Sequence, residues 1–138
     1  MIEKILVPLD GSDQSEAILP YVSKVSTGLG ATVVLLSVLD QGSLGVGWSY
    51  FSRLYQRVES GAREGLEAAA RSLAEVGVAV EEVVASGRSA EEIVRAADAH
   101  ECSLIMMSTH GRKALARGIL GSVTDAVIHS ANMPVLTM

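Results

Sequence analysis

Residues 104–128 read "LIMMSTHGRKALARGILGSVTDAVI". Leu104 to Met107 form an apolar run of strand length, and Ile119, Leu120, Val123 and Val127 recur at helical spacing. The small and basic residues between them therefore sit at the carboxyl end of a strand and lead into a helix. Working outward, strand-length runs recur at Ile5–Val7, Thr32–Leu39, Val78–Val84 and Val135–Met138. Several are almost continuously apolar and β-branched, as strands covered on both faces are. Helical stripes separate them: Ala17, Ile18, Tyr21, Val22, Val25 and Leu29; then Leu54, Val58, Ala62, Leu66, Ala69, Leu73 and Val76; then Ala90, Ile93, Val94 and Ala97. Ser89 with Glu92, and Ser122 with Asp125, have the spacing of capping boxes. The order βαβαβαβαβ predicts an α/β fold: one domain over residues 1–138, a doubly wound parallel sheet of five strands, and helices on both faces.

Composition narrows the function classes. With 49% hydrophobic and 20% charged residues the chain can bury a core, and disorder is not expected. A net charge of −5 with few aromatics argues against nucleic acid or an anionic membrane surface as a partner. No apolar run approaches the length of a membrane span. The short apolar start, followed by Pro8 and Asp10, does not read as a signal peptide, and a lone cysteine, Cys102, suits a reducing compartment. The expectation is a soluble cytoplasmic protein.

In open parallel sheets ligands bind beyond the carboxyl ends of the strands. Four connections qualify: residues 8–13, 40–51, 86–89 and 108–121. The second is long, carries Gly42, Gly45, Gly47 and the lone Trp48, and connections of that length are often functional. Gly28-Leu-Gly30 and Gly45-Val-Gly47 lack the third glycine of a dinucleotide fingerprint, and no GxxxxGK[ST] loop occurs, which excludes a Walker-type site. In the first connection Asp10 can accept hydrogen bonds from ribose hydroxyls, or Asp10, Ser12 and Asp13 can simply shape the turn and cap the helix. In the last, no acid occurs from Cys102 to Thr124, whereas Arg112, Lys113 and Arg117 are cationic. Gly111 permits close backbone approach, and Gly121-Ser122 opens a helix whose N-terminal N–H groups favour an anion. The same residues can equally be a solvated face and a capped helix. His110 is placed to act as a base, but no nucleophile–His–acid series surrounds it, and His100, His129 and Cys102 have no metal-ligand spacing.

The residues at these positions resemble the universal stress protein family along essentially the whole chain. The resemblance is carried by "KILVPLDGS", "VVLLSVLD", "SGRSAEEIVRAA" and the segment from Leu104 to Met138. The family's nucleotide-binding branch carries G-x2-G-x9-G-[ST] in this last segment; Gly111, Gly121 and Ser122 match its second part, and Ser108 stands where its first glycine would be. The resemblance implies strand order 3-2-1-4-5 and an adenine nucleotide, ATP with Mg²⁺, as ligand. It implies binding residues Pro8, Leu9, Asp10, Val38, Met107, Ser108, His110, Gly111, Arg112, Gly121, Ser122, Val123 and Thr124. Adenine would lie near the first strand against Val38, ribose on Asp10, and phosphates on Gly111 and residues 121–124. If Ser108 must take a positive φ, its Cβ costs on the order of 1 kcal/mol. The resemblance also implies a homodimer through antiparallel pairing of Val135–Met138. Three functions follow in order: a stress-linked nucleotide-binding regulatory module, a family member working through protein contacts without ATP, and a weak ATP hydrolase using His110 or Asp10.

Overall fold

The computed structural model describes residues 2–40, 53–109 and 120–138. Its elements run β1 (Lys4–Pro8), α1 (Asp13–Glu16), α2 (Leu19–Leu29), β2 (Thr32–Leu39), α3 (Arg53–Ala74), β3 (Val80–Ser86), α4 (Ser89–Ala99), β4 (Leu104–Met107), α5 (Ser122–Ser130) and β5 (Val135–Thr137). The five strands form one sheet in the order β3-β2-β1-β4-β5, and every neighbouring pair is parallel. The expected fold class and strand order are both found. Ile5 lies opposite Val33 on one side and Leu104 on the other, which places β1 at the centre.

Alternation along the strands sorts their side chains into two cores. Ile5, Val7, Val33, Leu35 and Met106 face Ile18 and Val22 beside and within α2, and Leu66, Ala69 and Leu73 of α3. Leu6, Val34, Leu36, Ile105 and Met107 face Ile93 and Ala97 of α4 and Val127 of α5. Both faces of the central strands are therefore dry, and this is why their sequence is continuously apolar instead of alternating.

Several local expectations shift. The first helical stripe falls on α2 and the residues just ahead of it, while a separate short α1 precedes it, because Pro20, at the start of α2, has no N–H with which to continue the preceding turn. Tyr21 and Leu29 of that stripe, and Leu54 and Val76 of the next, are exposed at the margins of their packed faces. The third strand begins two residues later than its apolar run suggests: Val78 is buried ahead of it, and Glu81 and Glu82 follow on the exposed sheet edge.

Neither capping box forms. The N-cap of α4 is Arg88, and the anion on that helix end comes from Asp40, just beyond β2. One Asp40 carboxylate oxygen accepts both the Ser89 N–H at 3.0 Å and the Ser89 hydroxyl at 2.9 Å. A carboxylate on the N–H groups of a helix N-terminus satisfies a donor and complements the helix dipole. Asp40→Ala should therefore lower unfolding free energy by about 1–2 kcal/mol, the usual range for a lost N-cap, measured by urea denaturation.

Cys102 is buried just ahead of β4. Burial foremost pushes its thiol up from 9.0 to about 11; Lys4 opposes that rise and Glu81 adds to it. The folded chain thus holds this proton more tightly than the unfolded chain does. The resulting stability is fully present below about pH 9 and is lost as pH climbs towards about 11. Urea midpoints measured from pH 8 to 11 should fall more steeply for the parent than for Cys102→Ala, and the native thiol should resist alkylation at neutral pH.

Candidate functional site

Strand order reverses at β1, with β2 to one side and β4 to the other, so the loops leaving β1 and β4 flank the switch point of the sheet. The loop after β1 is held by its own side chains. Leu9 is buried in the α2–α3 core, and its N–H donates to the Leu36 carbonyl at 2.8 Å. Gly11 has φ 82, a conformation open to glycine at little cost. The Asp10 carboxylate accepts the Ser12 N–H at 2.9 Å and also the Ser12 hydroxyl. The Ser12 hydroxyl in turn accepts the Ser15 N–H at 3.1 Å, which makes Ser12 the N-cap of α1. The turn-shaping reading of these residues is thus realised, and it leaves Asp10 exposed at the carboxyl edge.

Across the switch point, Ser108 and Thr109 follow β4. Among the described residues Glu101 is the one non-glycine with positive φ, so Ser108 carries no left-handed strain. Its main-chain carbonyl accepts the hydroxyl of buried Thr124 at 2.9 Å, tying the first turn of α5 to the end of β4. The Thr109 carbonyl accepts the Gly121 N–H at 2.8 Å. These two bonds close the connection at its base.

Gly121, not Ser122, is the N-cap of α5. Its carbonyl takes the first helical bond, from the Asp125 N–H at 2.9 Å, and Ser122 is exposed in the first turn. Among the described residues no side-chain cap bond is made at this end. Gly121 has φ −61 and ψ 147, which any residue can adopt, so backbone conformation does not explain a glycine here. Asp125 lies one turn in and mildly opposes an anion at the helix end.

The expected site residues divide as follows. Asp10, Ser108, Gly121, Ser122, Val123 and Thr124 come to the carboxyl edge around the switch point. Val38 and Met107 lie on the α4–α5 face, Met107 buried and Val38 half-buried, while Pro8 ends β1 half-buried. Leu9 points to the opposite core, so only its backbone faces the edge. His110, Gly111, Arg112, Lys113, Arg117 and the connection with Trp48 lie outside the described residues. Two residues escaped sequence reading: Asp40, whose partner is 49 positions away, and Thr109, whose partner Met138 offers a main-chain oxygen. Neither pairing has a local signal. Among the described residues no group of three or more His, Cys, Asp or Glu side chains could hold a metal, and no helix is long and apolar enough to cross a membrane.

Comparison with known proteins identifies the family. The Universal stress protein family profile matches residues 1–138. The universal stress protein MJ0577 of Methanocaldococcus jannaschii is 31% identical over an alignment covering 100% of this chain and 95% of the relative. Its solved structure superposes with a TM-score of 0.90 at 33% identity, covering 100% of this chain and 96% of that one. Two more distant structures share the fold. One is a universal stress protein in complex with cAMP (TM-score 0.72, 20% identity, 99% and 96% covered), the other the Archaeoglobus fulgidus protein in complex with dAMP (TM-score 0.73, 21% identity, 99% and 97% covered). The chain belongs to the universal stress protein family.

Proposed function

We propose that this protein is an adenine-nucleotide-binding regulatory module of the stress response, cytoplasmic and homodimeric, with ATP and Mg²⁺ as its ligand. One observation carries the reading: the α5 N-terminus opens at the switch point with a glycine N-cap that backbone geometry does not require, and the first N–H groups of a helix have no partner within it. A residue without Cβ there suits a phosphate lying against the backbone. Exposed Asp10 on the facing loop is positioned to accept ribose hydroxyls, and half-buried Val38 offers apolar surface for a base. The Leu9 N–H is already committed, so its carbonyl would be the group that meets the ligand. Thr124 would act through its N–H, because its hydroxyl proton is spent on Ser108. Mg²⁺ would arrive with the phosphates, as that ion commonly does, and not in a protein-made cage. The complexes of two family members with cAMP and dAMP favour an adenine nucleotide.

The homodimer would form at β5. The Ile105 N–H donates to Pro134 and the Met138 N–H to Met107, so by alternation the N–H and C=O of Val135 and Thr137 face away from β4. Val135–Thr137 carries no charge, whereas the opposite edge strand, β3, carries adjacent Glu81 and Glu82. Charges blunt an edge against pairing, and a short apolar strand related by a two-fold axis complements itself.

Isothermal calorimetry with ATP, AMP and cAMP tests the ligand; no heat with any of them removes the proposal. Gly121→Val should weaken ATP at least about tenfold, roughly 1.4 kcal/mol, while the melting temperature moves little, because the backbone there admits valine. Ser108→Gly should leave ATP affinity within about threefold, since no positive φ is being relieved. Thr137→Pro removes an N–H that β4 does not use, and should shift the protein to monomer in sedimentation without unfolding it.

A further inference from the structure

The main-chain oxygen of Met138, beside β5, accepts two bonds from Thr109: the N–H at 2.8 Å and the hydroxyl at 3.0 Å. The Met138 N–H is in turn held by the Met107 carbonyl at 3.2 Å. Thr109 passes the constraint on, because its carbonyl accepts the Gly121 N–H that opens α5. A continuous run of hydrogen bonds therefore leads from the sheet edge to the N-terminus of α5.

We propose that nucleotide binding and pairing of β5 with a second copy of this chain are thermodynamically linked, with Thr109 as the positioning residue that joins them. The inference rests on both halves of the functional reading above and adds their coupling. β5 has three residues, half-buried or exposed, at a sheet edge, so it belongs to the least stable part of the fold and can dock or fray. A second copy paired to Val135 and Thr137 favours the docked state and so fixes the acceptor of Thr109. With Thr109 held, its carbonyl orients the Gly121 peptide, and the phosphate-facing helix end is preorganised. A nucleotide that selects the ordered helix end stabilises docked β5 in return. Linkage requires the two effects to be equal in size. Docked and frayed β5 supply the two-state element that such coupling needs.

The test is sedimentation of the full chain over a dilution series, with and without saturating ATP and Mg²⁺, alongside calorimetry. ATP should tighten the dimer by about fivefold or more in the parent, the lower end of usual allosteric couplings. In Thr109→Val, which lacks the hydroxyl, the tightening should fall to about twofold or less; Thr109→Ser, which retains it, should restore the parent value. Calorimetric heat from ATP with an unchanged dimer constant overturns the linkage and leaves the nucleotide reading standing. A protein that binds ATP but stays monomeric at every concentration also overturns the linkage. Absence of heat overturns the nucleotide reading, and the linkage with it. A full ATP effect in Thr109→Val removes Thr109 from the role. If that variant does not fold, the parent series still decides the linkage and Thr109→Ala, which also lacks the hydroxyl, decides its role.

Discussion

Ile5, Leu6 and Val7 have no solvent exposure at all, and the dryness of that central strand governs everything around it. A strand buried on both faces needs helices above and below, and consecutive parallel strands need crossovers long enough to return. Those crossovers send every strand's carboxyl end to one side of the sheet. The loops there carry the backbone groups that the sheet cannot satisfy, so polar chemistry collects on a single edge.

Two helix N-termini meet that edge on the α4–α5 face, and the chain treats them differently. At α4 the Asp40 carboxylate takes both the N–H and the hydroxyl of Ser89. At α5 the cap is Gly121, which has no side chain to offer. A resident anion thus occupies the α4 end, while a residue with no side chain opens α5. The proposed phosphate would use that second end, and a net charge of −5 over the whole chain does not argue against a local anion site.

The fold was readable because two-sided burial writes itself into consecutive residues. Thr32–Leu39 and Leu104–Met107 have the bounds that apolar run-length implies. Readability failed where the determinant lay far off in sequence. Ser89–Glu92 and Ser122–Asp125 have cap spacing, yet Asp40 and Gly121 take over those ends, since a tertiary carboxylate or an incoming chain direction outweighs a local motif. Val78 looks like strand but is buried ahead of β3, because its Val33-side pairing begins at the next residue, Ala79, whose carbonyl accepts the Val33 N–H. At the candidate site, Gly121 could be picked out from spacing, but that its φ makes no demand for glycine could not. Thr109 is legible to no pattern rule, since a main-chain acceptor has no letter.

Asp40 has one more consequence. It is the residue at which the chain leaves the sheet for the connection to α3, and its bonds to Ser89 staple that departure point to a different helix. At the far end, the Tyr55 hydroxyl lies 3.1 Å from the Ser86 hydroxyl, so the return into α3 is anchored to the same edge. Asp40 and Tyr55 are thus both fastened by residues far from them in sequence. Ser86 ends β3 and Ser89 opens α4, so the exit from one crossover and the entry to the next are tied to a single short turn, and a change in that turn would loosen both at once.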